Sequence, residues 1–329
     1  MTFDELFYRL PLTLQDDMKN CMQDPRYHAE GSVYNHSKMV YEELLKTCND
    51  EYEDSSMINA ILISALFHDL GKLDTLHCYE KEKGVRIQSI SHELYAMKYI
   101  ELYKHLYKDF DIDWHIVVEI CVEHMRAHKF IDGEIKKTHK RQYFIDRPYI
   151  SLFAKADNLG RSNVNGKCFA ILCMGIPGSG KTTWRKKFVE KHPEYVVICP
   201  DDIRREINGS VNMDFKTEES VWKEVDLRIL YGFQNNKNII LDSTLCDIKR
   251  QIKYENICKG NNYIIVYKIF ECNSTEAILR IGNDIQNKVD RSNVPNEVVD
   301  RMANNFVSAK ERVIEQSKLF KVCILETKI

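Results

Sequence analysis

Along the first 160 residues, apolar positions return every three or four residues, the period of a helix buried on one face. In "VYNHSKMVYEELLKTC", Val33, His36, Met39, Val40 and Leu44 share such a face. "SSMINAILISALFHDLG" is apolar nearly all round, which predicts a central buried helix, and Gly71 stands where a glycine would end it. Further helices are expected at "SHELYAMKYIELYKHLY", with Ser91 in the capping position, at "WHIVVEICVEHMRAHKF" and at "SLFAKADNLG". No convincing alternating strand occurs before residue 160. "GRSNVNGK" (160–167) reads as a linker. Beyond it, short apolar runs alternate with helical stretches: "CFAILCMG", "YVVICP", "NIILD", "NYIIVYKIF" and "LFKVCILE". That alternation predicts a parallel sheet covered by helices. The expected fold is an all-α domain over residues 1–163 followed by an α/β domain over residues 164–329.

A chain of 329 residues suits two domains of roughly 100 to 200 residues each. No apolar run reaches membrane-spanning length, and the start lacks the pattern of a signal peptide. Eleven cysteines, without a CxxC pair, point to reduced thiols and a cytoplasmic location rather than a disulfide framework or a zinc knuckle. Charge is divided unevenly. Residues 1–160 carry 20 Lys and Arg against 27 Asp and Glu, a balance of −7, and residues 161–329 carry 27 against 22, a balance of +5. An acidic half suits cations and a basic half suits phosphates, although simple drift between two domains gives the same split.

The run "FAILCM" leads into "GIPGSGKTT", a strand followed by G-x-x-x-x-G-K-[ST]. Such a loop turns backbone N–H groups toward phosphate oxygens at a helix N-terminus. Gly175, Gly178, Ser179, Gly180, Lys181, Thr182 and Thr183 are the candidate nucleotide-binding residues, with Lys181 reaching the β and γ phosphates of ATP and the Thr182 hydroxyl helping to hold Mg²⁺. The next strand ends in "CPDDIRREI" and the third in "LDSTL", so Asp201, Asp202, Arg204 and Asp242 are expected at the same sheet edge. "LRIGNDIQNKVDRSNVPNEVVDRM" offers a polar lid with Arg280 and Arg291. In order and spacing these segments are similar to the 5′-OH polynucleotide kinases, over roughly residues 167–329. The resemblance implies Asp201 as general base, Arg204 as clamp on the acceptor phosphate, Asp242 as acceptor-site support and Arg291 as lid arginine, with Arg280 competing for the last role.

The first half carries His36, the pair His68-Asp69, His92, His124, His128 and Asp157. Imidazoles and carboxylates together suit a first-row divalent metal. The order H…HD…H…H…D resembles the HD phosphohydrolase superfamily, a helical fold. It implies that His36, His68, Asp69 and Asp157 hold one ion, and that His92 and His124 hold a second with Asp69 bridging. His128 lies four residues from His124 on the same helical face and rivals it. Lys72 stands ready to steady a phosphate. His28, His77, His105, His115 and His139 fit no place in this pattern. "KDFDIDW" (108–114) has the spacing of an aspartyl-phosphate phosphatase signature, but its charged approach reads as a loop.

Together the halves resemble bifunctional end-healing enzymes, an HD phosphoesterase joined to a polynucleotide 5′-kinase. That resemblance implies RNA or DNA with 5′-OH and 2′,3′-cyclic phosphate ends as substrate, one or two divalent transition-metal ions at the histidine site, and a ligase as functional partner, with no membrane. Two other readings stay open: a nucleotide phosphohydrolase fused to a nucleoside or small-molecule kinase, and an HD module that senses nucleotides and regulates the kinase.

Overall fold

The computed structural model describes residues 1–161, 168–261 and 263–326. Residues 162–167 of the expected linker, and with them the expected domain boundary at 163/164, lie outside the described residues. The chain forms two compact units, Met1–His77 with Ile87–Gly166, and Cys78–Arg86 with Lys167–Ile329.

The first unit is helical. Ser32 starts the helix Val33–Glu51 by accepting the Asn35 N–H at 3.3 Å, and Asp54 does the same for Ser56 at the start of Ser55–Phe67. Every residue from Ala60 to Phe67 is buried, as an all-round apolar helix requires. That helix packs with Val33–Glu51, Trp114–Ile131 and Pro148–Leu159, and Leu44, Leu66, Ile120 and Phe153 on these helices are fully buried. Two expected caps work differently. Gly71 lies at φ −62°, past the helix end at His68, and its lack of a side chain matters because a Cβ there would fall 1.9 Å from the His92 carbonyl oxygen. Ser91 precedes the helix His92–Tyr103 in a left-handed conformation with no capping bond from its side chain. Asp113 in the 108–114 stretch caps the helix Trp114–Ile131, so that stretch is a loop.

The second unit is a seven-stranded sheet with strands β1 (Leu76–Lys81), β2 (Gly84–Ser89), β3 (Phe169–Met174), β4 (Val196–Ile198), β5 (Ile239–Asp242), β6 (Ile264–Ile269) and β7 (Cys323–Glu326). Its order is β2-β1-β7-β6-β3-β5-β4. The five strands expected after residue 160 are all present, and their pairings are parallel. β3 is buried at every position and lies between β6 and β5. Its register pairs Cys173 with Asp242, which sets Asp242 beside the start of the phosphate loop.

The hairpin β1–β2 corrects the expectation that no strand precedes residue 160, and it makes the sheet mixed rather than purely parallel. β1 runs parallel to β7, with Cys78 opposite Leu325, and a two-residue turn returns β2 antiparallel to it. Polar residues at His77, Glu80, Lys81, Arg86 and Gln88 hide the pattern, because only Cys78, Val85 and Ile87 offer a buried apolar side chain. Inside the unit, the Tyr195 hydroxyl accepts the Val85 N–H at 3.2 Å, and Glu80 lies 3.5 Å from the buried His192 ring.

Candidate functional site

In the first unit, four helices and the turn after Phe67 bring His36, His68, Asp69, His92, His124 and Asp157 into one buried cluster. Asp69 is the hub. Its Oδ2 lies 3.5 Å from His68 Nε2 and 3.6 Å from His36 Nε2, and its Oδ1 lies 3.2 Å from His92 Nε2. His92 Nε2 and His124 Nε2 face each other at 3.3 Å. Two sets of donor atoms therefore share Asp69: His36, His68 and Asp69, and Asp69, His92 and His124.

The hydrogen bonds fix what these rings offer. His68 Nδ1 donates to the Ala65 carbonyl at 3.0 Å, His92 Nδ1 to Ser89 at 3.1 Å and His124 Nδ1 to Cys121 at 2.8 Å. With the proton committed to Nδ1, the neutral form of each ring turns a bare Nε2 lone pair inward. His68 Nε2 is buried and has no hydrogen-bond partner among the described residues. Burial pushes the His68 imidazole down to about 4 and His124 well below its usual range, so both stay neutral. Burial works to raise Asp69, but His68, Lys72 and His92 hold it well below the usual carboxylate range. Lone pairs and carboxylates converging in a dry pocket repel one another unless a cation sits among them, and imidazole with carboxylate is a donor set that first-row divalent ions accept. The residues present fit one or two such ions.

Asp157 accepts from His36 Nε2 at 2.9 Å on one oxygen and from His128 Nε2 at 2.6 Å on the other. His128 thus sits behind Asp157, whereas His124 lies with Asp69 and His92. Lys72 donates to Asp69 at 2.6 Å and also to Gln23. Arg161, absent from the expected set, lies 3.5 Å from Asp157. Its place four residues after Asp157 is a helical spacing that a pattern search would find.

In the second unit, β3 delivers Gly175–Thr182 at the carboxyl edge of the sheet, with Gly178 and Gly180 at φ 82° and 95°. Lys181 is buried and donates to the Gly175 and Ile176 carbonyls at 2.7 and 2.8 Å, and burial pulls its ammonium below the usual range. The Thr182 hydroxyl donates to Asp242 at 3.3 Å, and burial lifts the Asp242 carboxyl above its usual range. Asp242 therefore stands on the Thr182 side of the site. Arg185, absent from the expected set, links Asp242 at 3.2 Å to Asp202 at 2.9 Å.

Asp201 is half exposed and pairs with Arg204 at 2.5 Å. Arg204 also makes two bonds to Glu218, at 3.0 and 2.7 Å, and Trp222 donates to the same carboxylate at 2.7 Å. Glu218 and Trp222 follow a loop with no periodic signal, and no motif points to them. Of the two lid arginines, Arg280 donates to the Gly178 carbonyl at 3.3 Å, while Arg291 pairs with Asp284 at 2.6 Å. The segment expected to form a lid is held by Ser292 donating to the Val211 carbonyl and by Arg205 pairing with Asp290.

Known proteins resemble this second site. Residues 171–309 match a family described as an AAA domain. A probable UMP-CMP kinase 2 from Arabidopsis thaliana is 25% identical over 131 residues, which cover 37% of this chain and 50% of that protein. The chain thus spans about half the length of this curated relative. Among solved structures, the Pnkp1/Rnl/Hen1 RNA repair complex has a chain 22% identical over 46% of this chain and 48% of its own, with a TM-score of 0.41. A chain of the PezAT toxin–antitoxin system of Streptococcus pneumoniae is 18% identical over 46% of this chain and 65% of its own, with a TM-score of 0.38. None of the described helices is long and apolar enough to cross a membrane. The loop, the sheet edge and the matched family together make residues 171–309 a kinase-like P-loop domain, which implies ATP and Mg²⁺.

Proposed function

We propose that the chain heals broken nucleic-acid ends at two sites. In this reading, residues 1–163 form an HD phosphoesterase that removes a 2′,3′-cyclic phosphate or a 2′-phosphate, and residues 164–329 form a polynucleotide 5′-kinase. The observation that carries it is the buried convergence of His36, His68, Asp69, His92, His124 and Asp157 on one hub, with Lys72 beside it. Divalent ions held there would neutralise charge on the phosphoester oxygens. Lys72 and Arg161 supply positive charge for the phosphate, and His128 holds Asp157 in place.

At the kinase site, Lys181 and the loop N–H groups orient the triphosphate of ATP, whose Mg²⁺ the Thr182 hydroxyl would help to hold. Asp201 stands half exposed beside Arg204, placed to take the proton of a 5′-hydroxyl while Arg204 holds the neighbouring phosphate. Of the two candidates for the lid arginine, Arg280 is bonded to the Gly178 carbonyl of the phosphate loop and is the better placed for the transferred phosphoryl group, whereas Arg291 pairs with Asp284. The products are a 5′-phosphate and a 3′-hydroxyl, the pair a ligase joins.

The test is an RNA oligonucleotide with a 5′-OH and a 2′,3′-cyclic phosphate, given ATP and Mn²⁺ or Mg²⁺. Both ends should be converted. Asp69→Ala should abolish 3′-end processing and spare 5′ labelling, and Lys181→Ala should do the reverse. Loss of both activities from either change, in folded protein, would refute the two-site model. The likeness to a UMP-CMP kinase favours a second reading, in which the acceptor is a nucleotide. Phosphorylation of UMP or CMP in preference to the oligonucleotide would select it.

A further inference from the structure

The loop before the helix Val33–Glu51 carries no recognised motif, yet it reaches the candidate metal centre. It is closed by a bridge between Met22 and Ser32 and by the Gln23 N–H donating to the Gly31 carbonyl at 2.7 Å. Asn35 holds the Glu30 carbonyl at 2.9 Å, so the Glu30 backbone is fixed against the first turn of the helix that bears His36. The Glu30 side chain is only 3% exposed. Its Oε1 accepts from His28 Nδ1 at 2.8 Å and lies 3.0 Å from His36 Nδ1. His28, assigned to no place by sequence pattern, also packs edge-on against the His36 ring, with centroids 4.7 Å apart.

We propose that Glu30 is a positioning residue for the metal centre, the outer carboxylate of a carboxylate–histidine–metal relay through His36. The proposal rests on the metal reading above. Two acceptors face His36 Nδ1, the Glu30 carboxylate at 3.0 Å and the Gly160 carbonyl at 3.3 Å, so the proton belongs on Nδ1. A bound cation would then take the lone pair of Nε2 in place of the proton that bonds Asp157 at 2.9 Å, with Asp69 3.6 Å away. Gly160 alone would hold the tautomer. What Glu30 adds is charge, which makes the ring a stronger ligand and orients it. His28 supports Glu30 from the far side.

The test is Mn²⁺ affinity of the full-length protein, read by calorimetry and by the free-ion electron paramagnetic resonance signal. Wild type is compared with Glu30→Gln, Glu30→Ala and His36→Ala. Outer-shell changes of this kind weaken metal binding by about 10- to 100-fold. Glu30→Gln should fall in that range even though its carbonyl oxygen can still accept from Nδ1, because the charge is gone. Glu30→Ala should be at least as weak, and 5′ labelling by the kinase site should be unchanged in both. A glutamine variant that binds Mn²⁺ within about twofold of wild type would show a merely structural Glu30 and overturn the proposal. If Glu30→Ala melts below the assay temperature, Glu30→Gln decides alone. A wild-type protein that binds Mn²⁺ no better than His36→Ala would instead overturn the metal reading beneath it.

Discussion

Replacing Gly71 by alanine adds one methyl group at a place where two opposite forces can be weighed. Gly71 has φ −62° and ψ −16°, a conformation any residue adopts freely. On backbone grounds alone, alanine would stabilise the protein by about 0.4–1 kcal/mol, because it restricts the unfolded chain. The added Cβ, however, would stand 1.9 Å from the His92 carbonyl oxygen, 2.8 Å from its carbon and 2.9 Å from the Tyr95 Cβ. Two of those atoms are backbone, so no side-chain rotation relieves the contact. The start of the helix His92–Tyr103 must move by about an ångström, at an overpacking cost of about 1–3 kcal/mol or more. The clash wins, with a net loss on the order of 1–2 kcal/mol. For a unit of this size that lowers the melting temperature by several degrees, since each kcal/mol is worth about 2–4 °C. The same shift carries His92 away from Asp69 and His124, now 3.2 and 3.3 Å away. Calorimetry should show the lower melting temperature, and Mn²⁺ titration a weaker site, with 5′ labelling intact. A variant more stable than wild type, with unchanged Mn²⁺ affinity, would refute the close-packing argument and leave only the backbone term.

Other consequences separate the two sites. Arg280→Ala should lower 5′ labelling by about 10³-fold or more, the scale of a lost phosphoryl-clamping arginine, and Arg291→Ala by less. The opposite ranking in single-turnover labelling would assign the role to Arg291. Glu218→Gln removes the charge that holds Arg204 on two bonds, so steady-state kinetics should show a changed KM for the 5′-OH strand with the KM for ATP unchanged. An effect on ATP alone would contradict that placement. Dialysis against a chelator should abolish 3′-end processing and lower the melting temperature, because the lone pairs around Asp69 would again face one another, and Mn²⁺ should restore both. His128→Asn should weaken Mn²⁺ binding by about 10-fold through Asp157, whereas His124→Asn should remove a ligand and weaken it further. Equal effects in calorimetry would undo the distinction between them.

What could be read from sequence divides along physical lines. The five strands after residue 160, the helices that bear His36 and His124 and the helix that leads into His68 have strong apolar patterns, because burial on one face or all round leaves a regular trace. The phosphate loop is legible because its glycines answer a local backbone need. The hairpin β1–β2 left no such trace. Its stability comes from pairing with β7, more than 240 residues away in the chain, and from Tyr195, so its own residues need bury little. The same distinction runs through the sites. Asp69 and His68 are adjacent in sequence, and Asp242 ends a clear strand. Arg185, Glu218 and Glu30 are found only by what they touch: each is a charged residue in a polar context, ordinary in composition, whose partner is supplied by another element. Reacting groups need particular residue types, which makes them visible as motifs. The groups that orient them need only the right charge at the right distance, and many chain paths satisfy that. For this reason the outer residues, Glu30 and Arg185 first among them, are where substitutions separate the proposed activities most cleanly. They can weaken one site while leaving its reacting atoms, and the whole of the other unit, in place.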